Sequence, residues 1–226
     1  MNQRMKLATI LAVVSLPGVN TAASATQGQE SVTYEFSNAN SQIAWTGSKI
    51  GGHHDGTFGR FSGSIELVGG SIEKSRVEVT IDTSTLTSTP EALVADLKSR
   101  KFLDVARFPT AHFVSTALVS KRTAAGITHL VSGNLELHGV TKSITFPAVI
   151  QATSDAVAVD ATFTIRRQDF GISPGGLANM IVHDDVTIRV SAHAHARGGP
   201  AGPASRRARP DGTSAQAQRS RGKPAA

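Results

Sequence analysis

The 226-residue sequence contains no cysteine. This absence excludes a disulfide framework, catalysis by a thiol and any metal site built from thiolates. The sequence also lacks the nucleophile elbow G-x-S-x-G, the zinc motif H-E-x-x-H, the P-loop and the glycine pattern of dinucleotide-binding proteins. These absences argue against an enzyme, and we expect no catalytic residue, no metal and no cofactor.

Excess positive charge is absent from the centre of the chain. The formal net charge is +6, but residues 1–25 carry +2 and residues 197–226 carry +6, so residues 26–196 carry −2. A nucleic-acid-binding domain needs a basic surface to neutralise phosphates. The charge distribution therefore argues against a nucleic-acid partner.

Residues 1–25 have the pattern of a signal peptide. Arg4 and Lys6 precede an apolar stretch over 7–16, and Ala23-Ser24-Ala25 matches a small-residue cleavage site. The apolar stretch is shorter than the roughly 20 residues that span a bilayer. We therefore expect an exported bacterial protein, periplasmic or secreted.

Residues 197–226 are rich in Gly, Pro, Ala, Ser and Arg and contain no large apolar residue. Such a segment buries too little surface to offset the entropy of ordering, so we expect a disordered basic tail. One hypothesis is a solvated tail without a defined role. The other is peripheral contact with an anionic membrane surface.

Residues 26–196 are expected to form one all-β domain, because apolar residues alternate with polar ones at a period of two. In the segment 77–81, for example, Val77, Val79 and Ile81 alternate with Glu78 and Thr80. The predicted strands lie near 32–37, 41–49, 57–67, 74–82, 110–119, 127–138, 142–152, 156–167 and 184–195. A glycine-rich turn is predicted over 51–56.

One helix interrupts the strands. Thr89 can cap it, Pro90 suits its first position, and Leu93 and Leu97 form an apolar stripe. Antiparallel strands with one wet face form either a sandwich or a barrel. Small inward residues favour an eight-stranded barrel with room for one ligand; they are Gly47, Gly59, Gly63, Gly133, Ala148 and Ala161.

The histidines give only weak signals for a site. His193 and His195 lie on one strand face, but two ligands make a poor zinc site. His53-His54-Asp55 lies in the predicted turn, where hydrogen bonding within the loop is the simpler interpretation. His112 and His138 fall at wet-face positions of predicted strands.

Four sequence blocks in order resemble a known family. They are W-x-G-x-K-x-x-G-x-H-x-G-x-F over 45–58, L-K-S-R-K-F-L-D over 97–104 leading into F-P-T-A-H-F over 108–113, G-N-L-E-L-H-G-V-T-K over 133–142, and R-Q-D-F-G-I over 167–172. The sequence is similar to the YceI-like family of exported, lipocalin-like polyisoprenoid-binding proteins over residues 32–194. The resemblance implies an eight-stranded antiparallel barrel with a helix over one end, an apolar tunnel for a long isoprenoid or similar lipid, and neither catalysis nor a metal.

A tunnel for a lipid needs an apolar lining with few polar groups. By alternation, eight residues project to the apolar side of their strands: Trp45, Phe61, Ile65, Val79, Leu135, Phe146, Phe163 and Ile165. Leu97, Phe102 and Phe108 are expected to close one end, and Lys49 and His54 to face a polar or anionic head group at the mouth. For each apolar residue, plain core packing is the competing interpretation.

Two other functions stay open from the sequence. One is an enzyme that acts on a prenyl diphosphate or a related small lipid, with His54 and Lys49 at the mouth. The other is a barrel filled by side chains whose outer face binds a protein partner. The sequence leaves the oligomeric state open.

Overall fold

The computed structural model describes residues 30–197. The predicted signal peptide at 1–25 and the predicted tail beyond Arg197 lie outside the described residues. The described part forms strands β1 Ser31–Ser37, β2 Gln42–Lys49, β3 Gly52–Phe58, β4 Phe61–Val68, β5 Ser71–Asp82, β6 Leu86–Ser88, β7 Thr110–Ser120, β8 His129–Leu137, β9 Val140–Ala152, β10 Ala156–Arg166 and β11 Val182–Ala196. Helices α1 and α2 span Glu91–Lys98 and Gly176–Ile181, with single 3₁₀ turns at Thr83–Thr85 and Arg167–Phe170.

Eight of the strands close into an antiparallel barrel. Their order is β1-β4-β5-β7-β8-β9-β10-β11, and β11 pairs back with β1 where Tyr34 lies opposite Ala196. The earlier part of β11 pairs instead with β2, which carries β3 and β6 beside it. The expected eight-stranded barrel is confirmed, and closure removes the free edges that an open sheet exposes.

Besides the closing β1–β11 ladder, which covers only Tyr34 and Glu35 of β1, two ladders of the barrel stop before their strands end. Strands β9 and β10 pair from Ala152 opposite Val157 to Ala148 opposite Ala161. Continuing this register would place Pro147 opposite Thr162, and proline has no N–H to donate to a ladder. Within the described residues, β9 before Ala148 pairs only with β8, and β10 after Ala161 pairs only with β11.

The second interruption separates β5 from β7, which pair only over Glu78–Asp82 and Thr110–Val114. Two side-chain contacts bridge this region. The N–H of Val77 donates to the Ser115 hydroxyl at 2.8 Å, and His129 Nε2 lies 3.7 Å from Glu73 Oε1. In this part of the barrel, side-chain contacts rather than a backbone ladder therefore connect β5 to its neighbours.

Aromatic rings occupy the space above inward glycines. The ring of Phe36 lies over Gly63 and the ring of Phe113 lies over Gly133, where an added Cβ would come within 2.2 and 2.4 Å of a ring carbon. The interpretation that these small residues leave room for a ligand was therefore wrong at both positions. Their absent side chains make room for neighbouring phenylalanines, as in aromatic rescue of strand glycines.

A second hydrophobic cluster covers the end of the barrel next to α1. Phe170 and Ile172, which follow β10, pack with Ile165. Phe102 and Leu103, from the connector after α1, pack against the same group. The end of the barrel is therefore closed by the connector and the segment after β10, while no residue of α1 itself is buried.

The structure differs from the sequence prediction around α1 and the turns. Pro90 has an extended backbone and is the N-cap, so the helix begins at Glu91 and Thr89 does not cap it. Most of the predicted turn at 51–56 is strand β3, because only Ile50 and Gly51 make the turn after β2. Strand β6 and helix α2 were not predicted.

His138 belongs to a turn rather than a wet strand face. His138 and Gly139 have φ values of 54° and 73°, which is the left-handed pair of a tight two-residue hairpin. The His138 ring lies 4.6 Å from the Phe108 ring, and its Nδ1 is 3.1 Å from the Phe170 carbonyl oxygen. The expectation of a solvated strand histidine was therefore wrong.

Candidate functional site

An apolar cavity of about 150 Å³ lies inside the barrel. All 22 residues that line it are apolar, and they come from β1 to β5 and from β7 to β11. An engineered protein cavity of about this size, lined by similar side chains, stays dry and binds benzene. The lumen therefore suits an apolar guest and offers no polar side chain to hold water.

Three phenylalanines form one wall of the lumen. Phe146 of β9 lies between Phe113 of β7, at a ring distance of 5.7 Å, and Phe163 of β10, at 4.2 Å. Phe146 and Phe163 are nearly parallel, with 14° between their planes. The three rings are only partly buried although they point inward, because they border the open lumen.

Six of the thirteen residues predicted to bind a ligand line the lumen: Ile65, Val79, Leu135, Phe146, Phe163 and Ile165. Phe61 points inward and is 4% exposed, but it belongs to the packed core and does not line the lumen. Core packing is therefore the observed role of Phe61 in this structure.

The three residues expected to close an end have separate positions. Phe102 packs into the cluster that covers the barrel end, as expected. Phe108 instead packs against the His138 ring and Gly139. Leu97 is half-buried on α1 and belongs to neither hydrophobic cluster.

Trp45, Lys49 and His54 lie on the inner face of the β2–β3 hairpin. Trp45 lies opposite Gly56, His54 lies opposite Gly47, and the alternation along β2 places Lys49 on the same face as Trp45. The alternating positions of the W-x-G-x-K and G-x-H-x-G-x-F blocks are thus the inward positions of the two strands. The face runs from the exposed Lys49 at the hairpin end to Phe58, which lines the lumen.

The Trp45 indole has a buried donor without an acceptor. The side chain is 6% exposed and its ring lies across Gly56, where an added Cβ would approach it to 2.5 Å. Among the described residues, no hydrogen-bond partner reaches Nε1 of Trp45. A buried donor left unpaired costs about 1–3 kcal/mol. The inner face of the hairpin therefore carries one unused N–H, with His54 and Lys49 farther along the same face toward its exposed end.

Sixteen further lining residues were not named as ligand-binding from the sequence. Eight of them lie at alternate positions of strands that contributed the six predicted lining residues, so the same period of two would have found these eight. They are Phe36, Ile43, Phe58, Val77, Ile81, Ala111, Phe113, Val131, Leu137, Ile144, Ile150, Val159, Ala161, Ile188, Val190 and Ala192.

Arg167 is buried beside the covered end of the barrel. Its guanidinium donates to the carbonyl oxygens of Ile172 at 2.8 Å, Val182 at 3.0 Å and His183 at 3.1 Å. These hydrogen bonds tie the segment after β10 to the start of β11. Arg167 therefore positions Phe170 and Ile172, which cover the lumen.

The Asp184 carboxylate, near the start of β11, stabilises the same region by accepting hydrogen bonds from Arg166 and Gln168. Burial would raise the pKa of Asp184, but the Gln168 N–H at 2.9 Å and the Arg166 guanidinium at 2.8 Å outweigh it and lower that pKa. The carboxylate is thus held in its charged form by the turn that follows β10.

The histidines do not form a metal centre in the described part of the chain. Over residues 30–197 no group of three or more histidine or acidic side chains is placed to hold a metal ion. His53 Nε2 lies 3.5 Å from Asp55 Oδ2, and both side chains are largely exposed. In the same range no helix is long and apolar enough to cross a membrane.

The sequence model of the YceI-like domain matches residues 34–194. A UPF0312 protein of Pseudomonas putida strain W619 is 33% identical over 141 residues, which cover 59% of this chain and 71% of that protein. A UPF0312 protein of Pseudomonas fluorescens strain SBW25 is 32% identical over 155 residues, covering 65% of this chain and 78% of the relative.

Solved structures share the fold at low sequence identity. Burkholderia cenocepacia BcnA has a TM-score of 0.62 at 22% identity, covering 69% of this chain and 97% of that one. A domain from Saccharophagus degradans, described as polyisoprenoid-binding and implicated in plant cell wall breakdown, has a TM-score of 0.56 at 16% identity, covering 73% and 98%. These likenesses support the barrel fold.

Proposed function

The chain belongs to the YceI-like domain family, and from that membership and its lumen we propose that it is an exported, non-catalytic carrier. The proposed cargo is a polyisoprenoid or a similar long-chain amphiphilic lipid, held by its hydrocarbon chain inside the barrel. The observation that carries the proposal is the lumen of about 150 Å³, whose lining includes no polar residue.

The hydrophobic effect supplies the affinity in this proposal. Each buried CH₂ group contributes about 0.8 kcal/mol, so about six buried carbons, as many as benzene has, give roughly 5 kcal/mol before costs. Association and ordering of the chain take back several kcal/mol of this. In this proposal a lipid leaves water for the lumen when its apolar burial exceeds these costs, and no polar contact in the lumen contributes.

The inner face of the β2–β3 hairpin supports an amphiphilic cargo. Trp45 supplies an unused N–H, and Lys49 and His54 share that face near the solvent-exposed end of the hairpin. An oxygen-rich or anionic head group would find a donor and a cation there. The hydrocarbon chain would then continue toward Phe58 and the lumen.

A barrel that binds partners only through its outer face is less well supported. That hypothesis required an interior filled by side chains, whereas this interior encloses a cavity. The polyisoprenoid-binding description of the Saccharophagus degradans domain also favours a lipid cargo. We therefore assign binding to the lumen.

Titration with farnesol, a short isoprenoid alcohol, tests the proposal. We expect saturable binding at one site by calorimetry, with no turnover of farnesol or farnesyl diphosphate on prolonged incubation. Failure of every prenyl compound to bind would overturn the carrier function. Chemical conversion of a prenyl diphosphate would favour the enzyme hypothesis instead.

The head-group assignment needs a separate measurement. We expect farnesyl diphosphate to bind more tightly than farnesol, and Lys49→Ala to remove most of that preference. Lys121→Ala is the matched control, because Lys121 is an exposed lysine on the β7–β8 connection. Equal losses in both variants would mean that the effect is general charge attraction rather than a head-group site.

The proposal also includes export of the protein and contact of its basic C-terminal tail with a membrane surface. Residues 1–25 support export, and the +6 charge of residues 197–226 supports attraction to an anionic membrane surface. Deletion of residues 197–226 is expected to reduce sedimentation with phosphatidylglycerol vesicles at low salt. Unchanged sedimentation would leave the tail without this role.

A further inference from the structure

Strands β9 and β10 are neighbours in the barrel, but about half of their length has no backbone ladder between them, and side chains make the contacts there. We call this unpaired stretch the parting between β9 and β10. The register of their ladder would continue with Thr145 opposite Thr164 on the outer face and with Phe146 opposite Phe163 on the inner face. Neither pair belongs to a backbone ladder, because pairing stops at Ala148 and Ala161. The stacked rings of Phe146 and Phe163, 4.2 Å apart, lie across the place where the two strands part.

A groove lies on the outer surface of the barrel next to this parting. This open groove of about 430 Å³ is lined by Pro147 and Val149 from β9 and by Asp160 and Thr162 from β10. Ala161 lines both this groove and the lumen. The groove and the lumen therefore lie on opposite sides of the same stretch of β10, at the end of its ladder with β9.

We propose that the parting between β9 and β10 is the portal through which the guest enters, and that the stacked Phe146 and Phe163 are its door. This inference rests on the proposed lipid-binding function. A strand pair without ladder hydrogen bonds can separate without leaving backbone groups newly unpaired. Moving the door needs only rotation of inward phenylalanine side chains that already border open space.

Two other candidate routes are closed more firmly. The end next to α1 is covered by Phe170 and Ile172, which Arg167 ties in place through three carbonyl oxygens. The gap between β5 and β7 is bridged by the Ser115 hydroxyl, and the contact between Glu73 of β5 and His129 of β8 spans the same region. Of these two gaps between neighbouring strands, only the one between β9 and β10 has residues that line the lumen in the unpaired stretch of both strands.

A cleavable staple across the parting tests the portal. The natural chain has no cysteine, so Thr145→Cys with Thr164→Cys gives a unique pair on the exposed face for a bismaleimide linker that contains a disulfide. The control pair is Ser132→Cys with Thr145→Cys, which spans the fully paired β8 and β9, where the two natural hydroxyl groups are 2.8 Å apart. The guest is farnesol carrying a fluorescent anthraniloyl group, followed by stopped flow.

We expect the portal staple to slow both association and release, with the rates restored when the linker is cleaved. The control staple should leave both rates unchanged. If the portal staple leaves the rates unchanged while the guest still binds, the portal is wrong. If the guest binds to no protein, including the natural one, the proposed lipid-binding function fails first.

Shortening the door residue gives a second readout. An aromatic pair contributes enough to hold such a door closed by a factor of up to about ten, so Phe146→Ala should speed association and release by up to about tenfold. Phe61→Ala removes the same atoms from the core without touching the lumen and should leave the rates unchanged. Equal acceleration in both variants would show that general loosening, not a door, sets the rate.

Discussion

Filling the lumen from within tests whether it is empty. Ala192 and Ala194 both point inward on β11 and are 3% and 0% exposed, but only Ala192 lines the cavity. Ala192→Leu adds three carbons where the structure has space. Ala194→Leu adds the same three carbons in the packed core, where Ala194 is fully buried and does not line the cavity.

The two substitutions are expected to change stability in opposite directions. Three newly buried carbons contribute about 2.4 kcal/mol, of which the rotamer entropy of leucine takes back about 0.5–1 kcal/mol. Ala192→Leu should therefore raise the free energy of unfolding by up to about 1.9 kcal/mol, or Tm by up to about 4–8 °C. Overpacking should make Ala194→Leu lose about 1–3 kcal/mol.

Urea denaturation measures both changes, because the fluorescence of Trp45, the single tryptophan, reports unfolding. Ala192→Leu should also weaken farnesol binding, since its side chain takes part of the guest's space. A loss of stability in Ala192→Leu as large as that in Ala194→Leu would refute the reasoning, because it would mean that the lumen is already filled.

Three further predictions follow from the site and its surroundings. Phe163→Asp should abolish farnesol binding in calorimetry while the far-ultraviolet circular dichroism stays native; unfolding of the variant would instead assign Phe163 to core packing. Arg167→Met should lower the free energy of unfolding by about 3 kcal/mol or more, because buried carbonyl oxygens lose their donor, and a loss below about 1 kcal/mol would argue against its role. The lowered pKa of Asp184 means that the unfolded chain binds more protons in acid, so stability should be lost as the pH falls from the ordinary aspartate pKa through the lowered one. Asp184→Asn should be less stable at neutral pH and lose less on acidification; an unchanged pH profile would contradict this.

The strands were predictable because a half-buried antiparallel sheet imposes a period of two. Val157 to Ile165 alternates along its whole length, and it forms β10 nearly as predicted. The hairpin at 42–58 was only half predicted, because its glycines and histidines resemble a turn. The alternating residues of the W-x-G-x-K and G-x-H-x-G-x-F blocks point inward. This can be recognised only when residues 52–58 are known to form strand β3.

The candidate site was predictable in kind but not in detail. Alternation identifies Phe61 and Phe163 equally as inward residues, yet only Phe163 borders the cavity. Local pattern cannot distinguish them, because the boundary between packed core and open lumen depends on which strands meet across the barrel. The parting at Pro147 likewise depends on the register between β9 and β10.

Lipid mass spectrometry on the protein isolated from its native envelope tests the central claim most directly. The account predicts that denaturation releases one long-chain apolar lipid in near-stoichiometric amount, and that the Phe163→Asp variant isolated in the same way carries none. Absence of any co-purified lipid from the natural protein, or equal amounts in both, would contradict it.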